Sequence, residues 1–237
     1  MSGDRGGASA AQHDMRDLEL FGDVPGDVVE RALSGLPDHR LDKDAEIDLA
    51  SVAAACCVVS RGRLALQVAA PDGRARIIGL VEEGDVLVPP TDTWAAVGPR
   101  PRPVAIEDSA LVLVSADRLA DWLHEPALAR NVVRILSRQV ADRELAVAIA
   151  LEPRVERRLL LKLGQLAERF GRVTPDGIRL DLRLTHRELA QMVGTARESV
   201  TLALGRLADA GEIEVRNRSL LVRSGPAAPG RAFPPGP

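Results

Sequence analysis

The sequence predicts an α+β protein: an N-terminal β-roll of jelly-roll type, then a long helix, then a C-terminal winged helix-turn-helix. Three observations predict it. From Arg40 to Val114, short β-prone runs alternate with turn residues. From Pro126 to Leu151, apolar residues recur at helical spacing with no internal turn signal. From Leu184 to Ser224, two runs with helix-start signals flank Gly194 and two further β-prone runs follow.

Residues 1–15 lack periodicity and read as a disordered tail. Asp27–Leu33 reads as a short amphipathic helix, apolar at Val28, Val29 and Leu33. Strand-like runs follow at Val52–Val59, Leu64–Val68, Arg76–Val81 and Ala110–Val114. Ser60-Arg61-Gly62, Pro71-Asp72-Gly73 and Glu83-Gly84-Asp85 punctuate them. Strands so closely spaced suit a small barrel or jelly roll. Asp117–Leu123 is a short helix; Pro126 then suits a first helical turn and Pro153 stops the long run. Within that run Val133, Leu136, Val140, Val147 and Leu151 form an apolar stripe, a pattern that serves a core face and a dimer seam equally well. Val155–Phe170 places Leu159, Leu163 and Leu166 on one face, and Ile178–Leu182 leads into the final motif. The expected domains are a tail at 1–15, a β-roll at 16–124, the long helix at 125–152, the winged helix at 153–224 and a Pro/Gly-rich disordered tail at 225–237.

The final motif carries the chemistry. Thr185 with Glu188 three residues later is a capping box, and Leu189, Met192 and Val193 supply one apolar face. Gly194 permits a sharp turn. Thr195 and Glu198 repeat the capping pattern, Val200, Leu204 and Leu207 face inward, and Gly211 supplies a stop. Two capped helices joined by a tight glycine turn are a helix-turn-helix. The outward face of the second helix carries Arg197, Glu198, Thr201 and Leu202, in the turns that meet base edges when such a helix enters a major groove. Arginine bridges the O6 and N7 acceptors of guanine, and glutamate accepts from the cytosine amine. Ile213–Val215 and Leu220–Val222, hinged at Arg216-Asn217-Arg218, read as a hairpin wing with a basic tip suited to phosphate. An αα-hairpin with ordinary surface charges is the plainer reading of a helix pair; the paired caps and basic wing weigh against it.

Composition narrows the classes. At 237 residues and 46% hydrophobic, the chain has room for two domains with real cores. No apolar run reaches membrane-span length and no signal stretch opens the chain, so a cytoplasmic protein is expected. Aromatics at 2% argue against base-stacking platforms for single-stranded nucleic acid. The net charge of −3 conceals an asymmetry. Glu152–Arg223 holds 14 Lys/Arg against 10 Asp/Glu, a net +4, whereas residues 1–151 hold 16 against 24, a net −8. Only the C-terminal part has the sign that DNA phosphates require.

Cys56 and Cys57 lie in an apolar run, where strand geometry points neighbours to opposite faces and opposes a mutual disulfide. Burial as small hydrophobes is the plain reading and a redox switch the alternative. His13, His39, His124 and His186 have no metal-ligand spacing, so no metal or cofactor is expected. His186, beside the capping Thr185, reads either as a phosphate contact or as a solvent-facing helix start. Trp94 reads as packing against the roll rather than lining a pocket. No Ser/His/Asp set, phosphate loop or carboxylate pair points to an enzyme.

The runs L-T-x-x-E-L-A-x-M-V-G, A-R-E-S-V-T and R-L-A-D-A-G-E-I-E-V resemble the winged helix-turn-helix of the Crp/Fnr family of bacterial transcription regulators. LGQLAERFG (Leu163–Gly171) resembles the family's linker helix; SRGRLALQ and PDGRARIIGLVEEGDVL resemble its cyclic-nucleotide-binding-like β-roll. The resemblance spans Leu18–Ser224. It implies base reading by Arg197 and Glu198 and phosphate contacts by Thr185 and Thr195; the residues around them add Thr201 as a third base contact and Arg187, Ser199 and Arg218 as further backbone contacts. It favours the seam reading of Val133, Leu136, Val140, Val147 and Leu151. The partners it implies are double-stranded DNA, a second copy of the chain, and RNA polymerase. Two-fold symmetry would set recognition helices about 34 Å apart on a near-palindromic site. Leu202 stands where many members carry a second base-reading arginine, so the preferred site should differ from the family's commonest one.

A second departure lies beyond Asp85. Nucleotide-binding members carry a Gly-Glu pair and then an Arg-Ser or Arg-Thr pair; this chain has Val88-Pro89 and Pro99-Arg100. Pro89, Pro90, Pro99, Pro101 and Pro103 remove amide donors where a phosphate cradle needs them. Arg100 and Arg102 are left as solvated loop charge or as an anion contact. The usual cyclic-AMP site is therefore expected to be absent. Another nucleotide, such as a cyclic dinucleotide, and a vestigial sensor working without ligand both stay open. A metabolic enzyme with an accidental helix-turn-helix is the reading from another class, and a DNA-shift assay separates it.

Overall fold

A computed structural model of the chain describes residues 15–49, 51, 54–89, 100–180, 182–216 and 219–223. The described residues fall into two compact units, one built from those up to Ala69 together with Ile78–Val140, the other from Ala70–Ile77 and those from Ala141 onward. The fold is α+β, as the sequence predicts.

The first unit is a two-sheet roll with helices on one side. Strands β1 (Asp38–Leu41), β2 (Cys56–Arg61), β3 (Arg63–Ala69), β4 (Ala75–Glu82, of which Ile78–Glu82 belongs to this unit), β5 (Val86–Leu87), β6 (Arg102–Ala105) and β7 (Ser109–Val114) form sheets of order β1-β7-β2-β5 and β4-β3-β6. Leu41, Val59, Leu64, Leu66, Val81, Leu87 and Leu111 belong to one buried cluster together with Cys57. Cys56, Val58, Val86, Val112 and Val114 pack in a second cluster with Phe21, Trp122, Leu128, Val132 and Ile135. The adjacent cysteines thus serve opposite faces of β2. Both are free thiols, and burial pushes Cys56 up to about 11 and Cys57 to about 12, so neither offers thiolate at neutral pH. The small-hydrophobe reading holds over the redox one.

Gly62 joins β2 to β3 with φ of +81°; a Cβ there would lie 2.7 Å from the Asp108 carbonyl oxygen. Met15, the last residue of the tail expected at 1–15, opens a 3₁₀ turn and is fully buried, and residues 1–14 lie outside the described residues. Pro90, Trp94, Pro99 and the tail expected at 225–237 lie outside the described residues. Arg102 forms an ion pair with Glu46 at 3.1 Å, which favours the solvated-charge reading over the anion contact.

Helices α1 (Gly26–Leu33), α2 (Ala116–His124) and the first half of α3 (Pro126–Ala150) complete this unit. Leu128, Asn131, Val132, Ile135 and Gln139 make the inward face of α3. Asn131 Nδ2 donates to the carbonyls of Leu20 and Gly22, Gln139 Nε2 donates to that of Val86, and Arg138 pairs with Glu19 and the fully buried Asp85. These polar ties fix the rotation of α3 about its axis. The opposite face is therefore left to solvent: Val133, Val140 and Val147 are 61%, 50% and 63% exposed, and Leu151, just past the helix end, is 78% exposed. Leu136 sits off this line, half-buried against the core.

In the second unit α4 (Val155–Phe170) buries Leu159, Leu163 and Leu166, and its contacts are with α5 (His186–Val193), α6 (Arg197–Asp209) and the sheet. That sheet has order β10-β11-β9-β8, from β8 (Gly171–Thr174), β9 (Gly177–Leu180), β10 (Ile213–Arg216) and β11 (Ser219–Val222). The hairpin β8–β9 lengthens the run expected at Ile178–Leu182, and Thr174-Pro175-Asp176-Gly177 is its turn signal.

Lys162 on α4 is buried, with Nζ donating to Gln165 Oε1 at 2.8 Å, and burial pushes it down to about 8 despite the nearby Asp142. Between about pH 8 and the ordinary lysine value near 10.5 the folded chain binds fewer protons than the unfolded one, so this group adds stability as pH rises through that window. The buried thiols act oppositely above about pH 9, since unfolding releases their protons. Lys162→Met should therefore stabilise the protein at pH 7 by about 1–3 kcal/mol. The stability difference from the parent should shrink toward zero by pH 10. Calorimetric melting of both proteins at pH 7, 8.5 and 10 checks this; a constant difference would show that the charge is not the cause.

Candidate nucleic-acid interface

The capping box at the start of α5 is complete. Thr185 Oγ1 accepts from the Glu188 amide at 3.1 Å, and Glu188 Oε2 accepts from both the amide (2.6 Å) and the hydroxyl (2.8 Å) of Thr185. Both donors of Thr185 are thereby engaged. The first amides of α5, at His186 and Arg187, have no acceptor within the helix and sit beside the exposed Arg187 side chain, a locally positive helix start.

Gly194 caps α5 in the left-handed conformation, φ +67° and ψ 43°. The Thr195 amide donates to the Ala190 carbonyl at 3.0 Å, which makes Thr195 part of the closing turn of α5. The second cap is consequently displaced from its expected place. Ala196, extended at φ −81° and ψ 153°, is the N-cap of α6 and makes no side-chain cap bond. Thr195 is half-buried in the turn.

Helix α6 buries Val200, Ala203, Leu204 and Leu207 against α4 and α5. Its other face exposes Arg197, Glu198, Thr201, Leu202 and Gly205, at spacings of one, three and four that keep them on one side of a helix. Among the described residues neither the Arg197 nor the Glu198 side chain has a hydrogen-bond or ion-pair partner, so a guanidinium and a carboxylate stand ready for outside contacts. Leu202 is 64% exposed. Ser199 is half-buried on the flank. Arg206, one turn further, pairs with Glu156 of α4 and ties the reading helix to its support. The wing pairs Ile213 with Val222 and Arg216 with Ser219, while its tip, Asn217 and Arg218, lies outside the described residues. The sequence reading missed one contact: His186 Nδ1 lies 2.9 Å from Thr201 Oγ1.

A Cβ at Gly205 would meet nothing within 4 Å, so no packing within the chain requires a glycine in mid-helix. Gly205→Ala should stabilise the free protein by about 0.5–1 kcal/mol, read as a rise in the urea midpoint at unchanged slope. A loss of stability would mean that the helix is distorted at that turn.

Residues 154–225 match the Crp-like helix-turn-helix domain. The chain is 28% identical over 169 residues to the CRP-like cAMP-activated global transcriptional regulator of Mycobacterium tuberculosis, covering 70% of this chain and 74% of that one. These likenesses support a Crp/Fnr family regulator. Its fold is shared with a CooA mutant from Carboxydothermus hydrogenoformans, at a TM-score of 0.68 and 23% identity over 85% of this chain and 88% of that one. It is shared also with the c-di-GMP-responsive global regulator CLP of Xanthomonas campestris, at 0.61 and 19% over 84% and 99%. The chain thus carries, at residues 154–225, the helix-turn-helix DNA-binding domain of a Crp-type transcription regulator. Among its described residues no helix is long and apolar enough to cross a membrane, and no group of three or more His, Cys, Asp or Glu is placed to hold a metal.

Proposed function

We propose that this regulator acts as a homodimer on a near-palindromic duplex site, without the usual cyclic-AMP residues. The observation that carries the reading is the single exposed face of α6, with Arg197 and Glu198 unengaged among the described residues, on a helix whose other side is buried. Arg197, Glu198 and Thr201 contact base edges. Arg187, Thr195, Ser199 and Arg218 position the phosphates, and Thr185 aligns the α5 amides beside them. Residues 125–152 form the dimer helix, joined to a β-roll sensor at 16–124 and a reader at 153–224. The exposed line Val133, Val140, Val147 and Leu151 supports self-association along α3, flanked by Leu136. RNA polymerase is a further expected partner.

Val88-Pro89 in place of Gly-Glu, and the pairing of Arg102 with Glu46, support the loss of the cyclic-AMP contacts. The Xanthomonas regulator's response to c-di-GMP makes a cyclic dinucleotide the alternative effector to test. Selection of binding sites from a randomised duplex pool, with sedimentation of the protein–DNA complex, tests the core of the proposal. A two-fold motif bound by two chains is expected; a monomer indifferent to sequence at moderate salt would refute it. Calorimetry with cyclic AMP and c-di-GMP should show no cyclic-AMP heat, and a c-di-GMP signal would select the sensor reading over a vestigial roll.

A further inference from the structure

Thr201 lies one turn beyond Arg197 on the exposed face of α6, yet its hydroxyl is already committed. Oγ1 donates to the Arg197 carbonyl oxygen at 3.1 Å and lies 2.9 Å from His186 Nδ1. A threonine hydroxyl owns one proton. With that proton on the Arg197 carbonyl, the imidazole must supply the other hydrogen, so Nδ1 carries a proton and Oγ1 accepts it. His186, the first residue of α5, therefore clasps a side chain on the reading helix fifteen residues away. Two hydrogen bonds hold a χ1 that is already stiff in a β-branched residue. The hydroxyl has no proton left for a base acceptor such as thymine O4, and the methyl group is what Thr201 has to offer that base. Leu202, beside it and 64% exposed, is wholly apolar.

We infer that His186 is a positioning residue that converts Thr201 from a hydrogen-bonding reader into an apolar one, so that Thr201 and Leu202 together select the 5-methyl group of thymine. The inference rests on the proposed entry of α6 into the major groove. Thymine alone among the bases offers a methyl on that edge, and threonine methyls and aliphatic side chains are suited to it. In this arrangement the half-site combines a polar part, read by Arg197 and Glu198, with an adjoining thymine step read by contact alone.

Deoxyuridine, which lacks only that methyl, tests the idea on the unmodified full-length protein. Each thymine of the selected half-site is replaced in turn, and one or two replacements should weaken binding about fourfold each. Thr201→Val keeps the methyl and should retain this penalty; Thr201→Ser keeps the hydroxyl and should lose it at one position. His186→Ala should blunt the penalty and broaden the motif there, whereas His186→Asn, which retains a donor at the Nδ1 position, should restore it. Matching melting curves across the variants exclude a folding defect. The opposite order, with Thr201→Ser retaining the penalty and Thr201→Val losing it, would overturn the inference. If no thymine responds while Arg197→Ala still alters the motif, the inference fails and major-groove reading stands. If the parent protein selects no motif, major-groove reading itself fails.

Discussion

Replacing Val140 and Val147 together by glutamate should convert the regulator to a monomer and weaken binding to a full two-fold site about 10²- to 10⁴-fold. Both side chains are more than half exposed or at that limit, and with Val133 they recur every seven residues along α3. Seven residues are close to two helical turns, so the three valines form one line parallel to the helix axis, continued by Leu151. A line of this kind on a monomer leaves apolar area in water that a second copy would bury. A pair of glutamates on each of two facing helices would instead set like charges against one another across the seam. The DNA penalty follows from linkage: two readers held together see the second half-site at millimolar effective concentration, and separation removes that gain without touching any DNA contact. Because the inward face of α3 is untouched, thermal stability of the monomer should change little. Placing the same two charges at Val88 and Leu123, which are 55% and 49% exposed but off the line, controls for added negative charge. A double variant that still sediments as a dimer and binds the full site normally would move the interface elsewhere.

The parts legible in the sequence are those whose determinants are local. Thr185 and Glu188 form their capping box because both partners lie within one turn, and Gly194 takes the left-handed cap because few other residues do so at low cost. Cys56 and Cys57 face opposite clusters because side chains alternate along any strand. The second cap was misplaced by one residue for a reason no spacing rule contains: the Thr195 amide is used to close α5, leaving Ala196 to begin α6. Strands β1, β5 and β6 are not legible in the sequence because their short, polar or proline-containing runs lack alternation of their own. They are strands because β7, β2 and β3 supply partners, as where Asp38 pairs with Val112 and Pro103 with Leu66. The His186–Thr201 clasp is illegible for the same reason, since it joins two helices whose relative placement is set by the buried side of α6 and its support on α4. The stripe on α3 lay between the cases. Spacing found it, but only the hydrogen bonds of Asn131 and Gln139 decide which side of the helix faces the core.

Arg197→Ala should lower affinity for the selected site by about 1–3 kcal/mol, or roughly five- to 150-fold, and relax one base position in each half-site. The side chain is exposed on the first residue of α6 and has no partner among the described residues, so its removal costs the free protein little. Whatever is lost is then lost from the complex. A guanidinium that bridges two acceptors on one guanine contributes direction as well as charge, and alanine removes both. Arg187→Ala, on the second residue of α5, provides the contrast. Its charge sits beside a helix start rather than on the reading face, so its loss should weaken all sequences alike and reduce the salt slope by about 1. The two variants remove the same formal charge from the same domain, so any difference between them is due to position and not to net charge. Site selection with each protein, combined with affinities at two salt concentrations, separates the outcomes. If Arg197→Ala changed only the salt slope and left the selected motif intact, α6 would be lying along the phosphates, and base reading would have to be sought on another element.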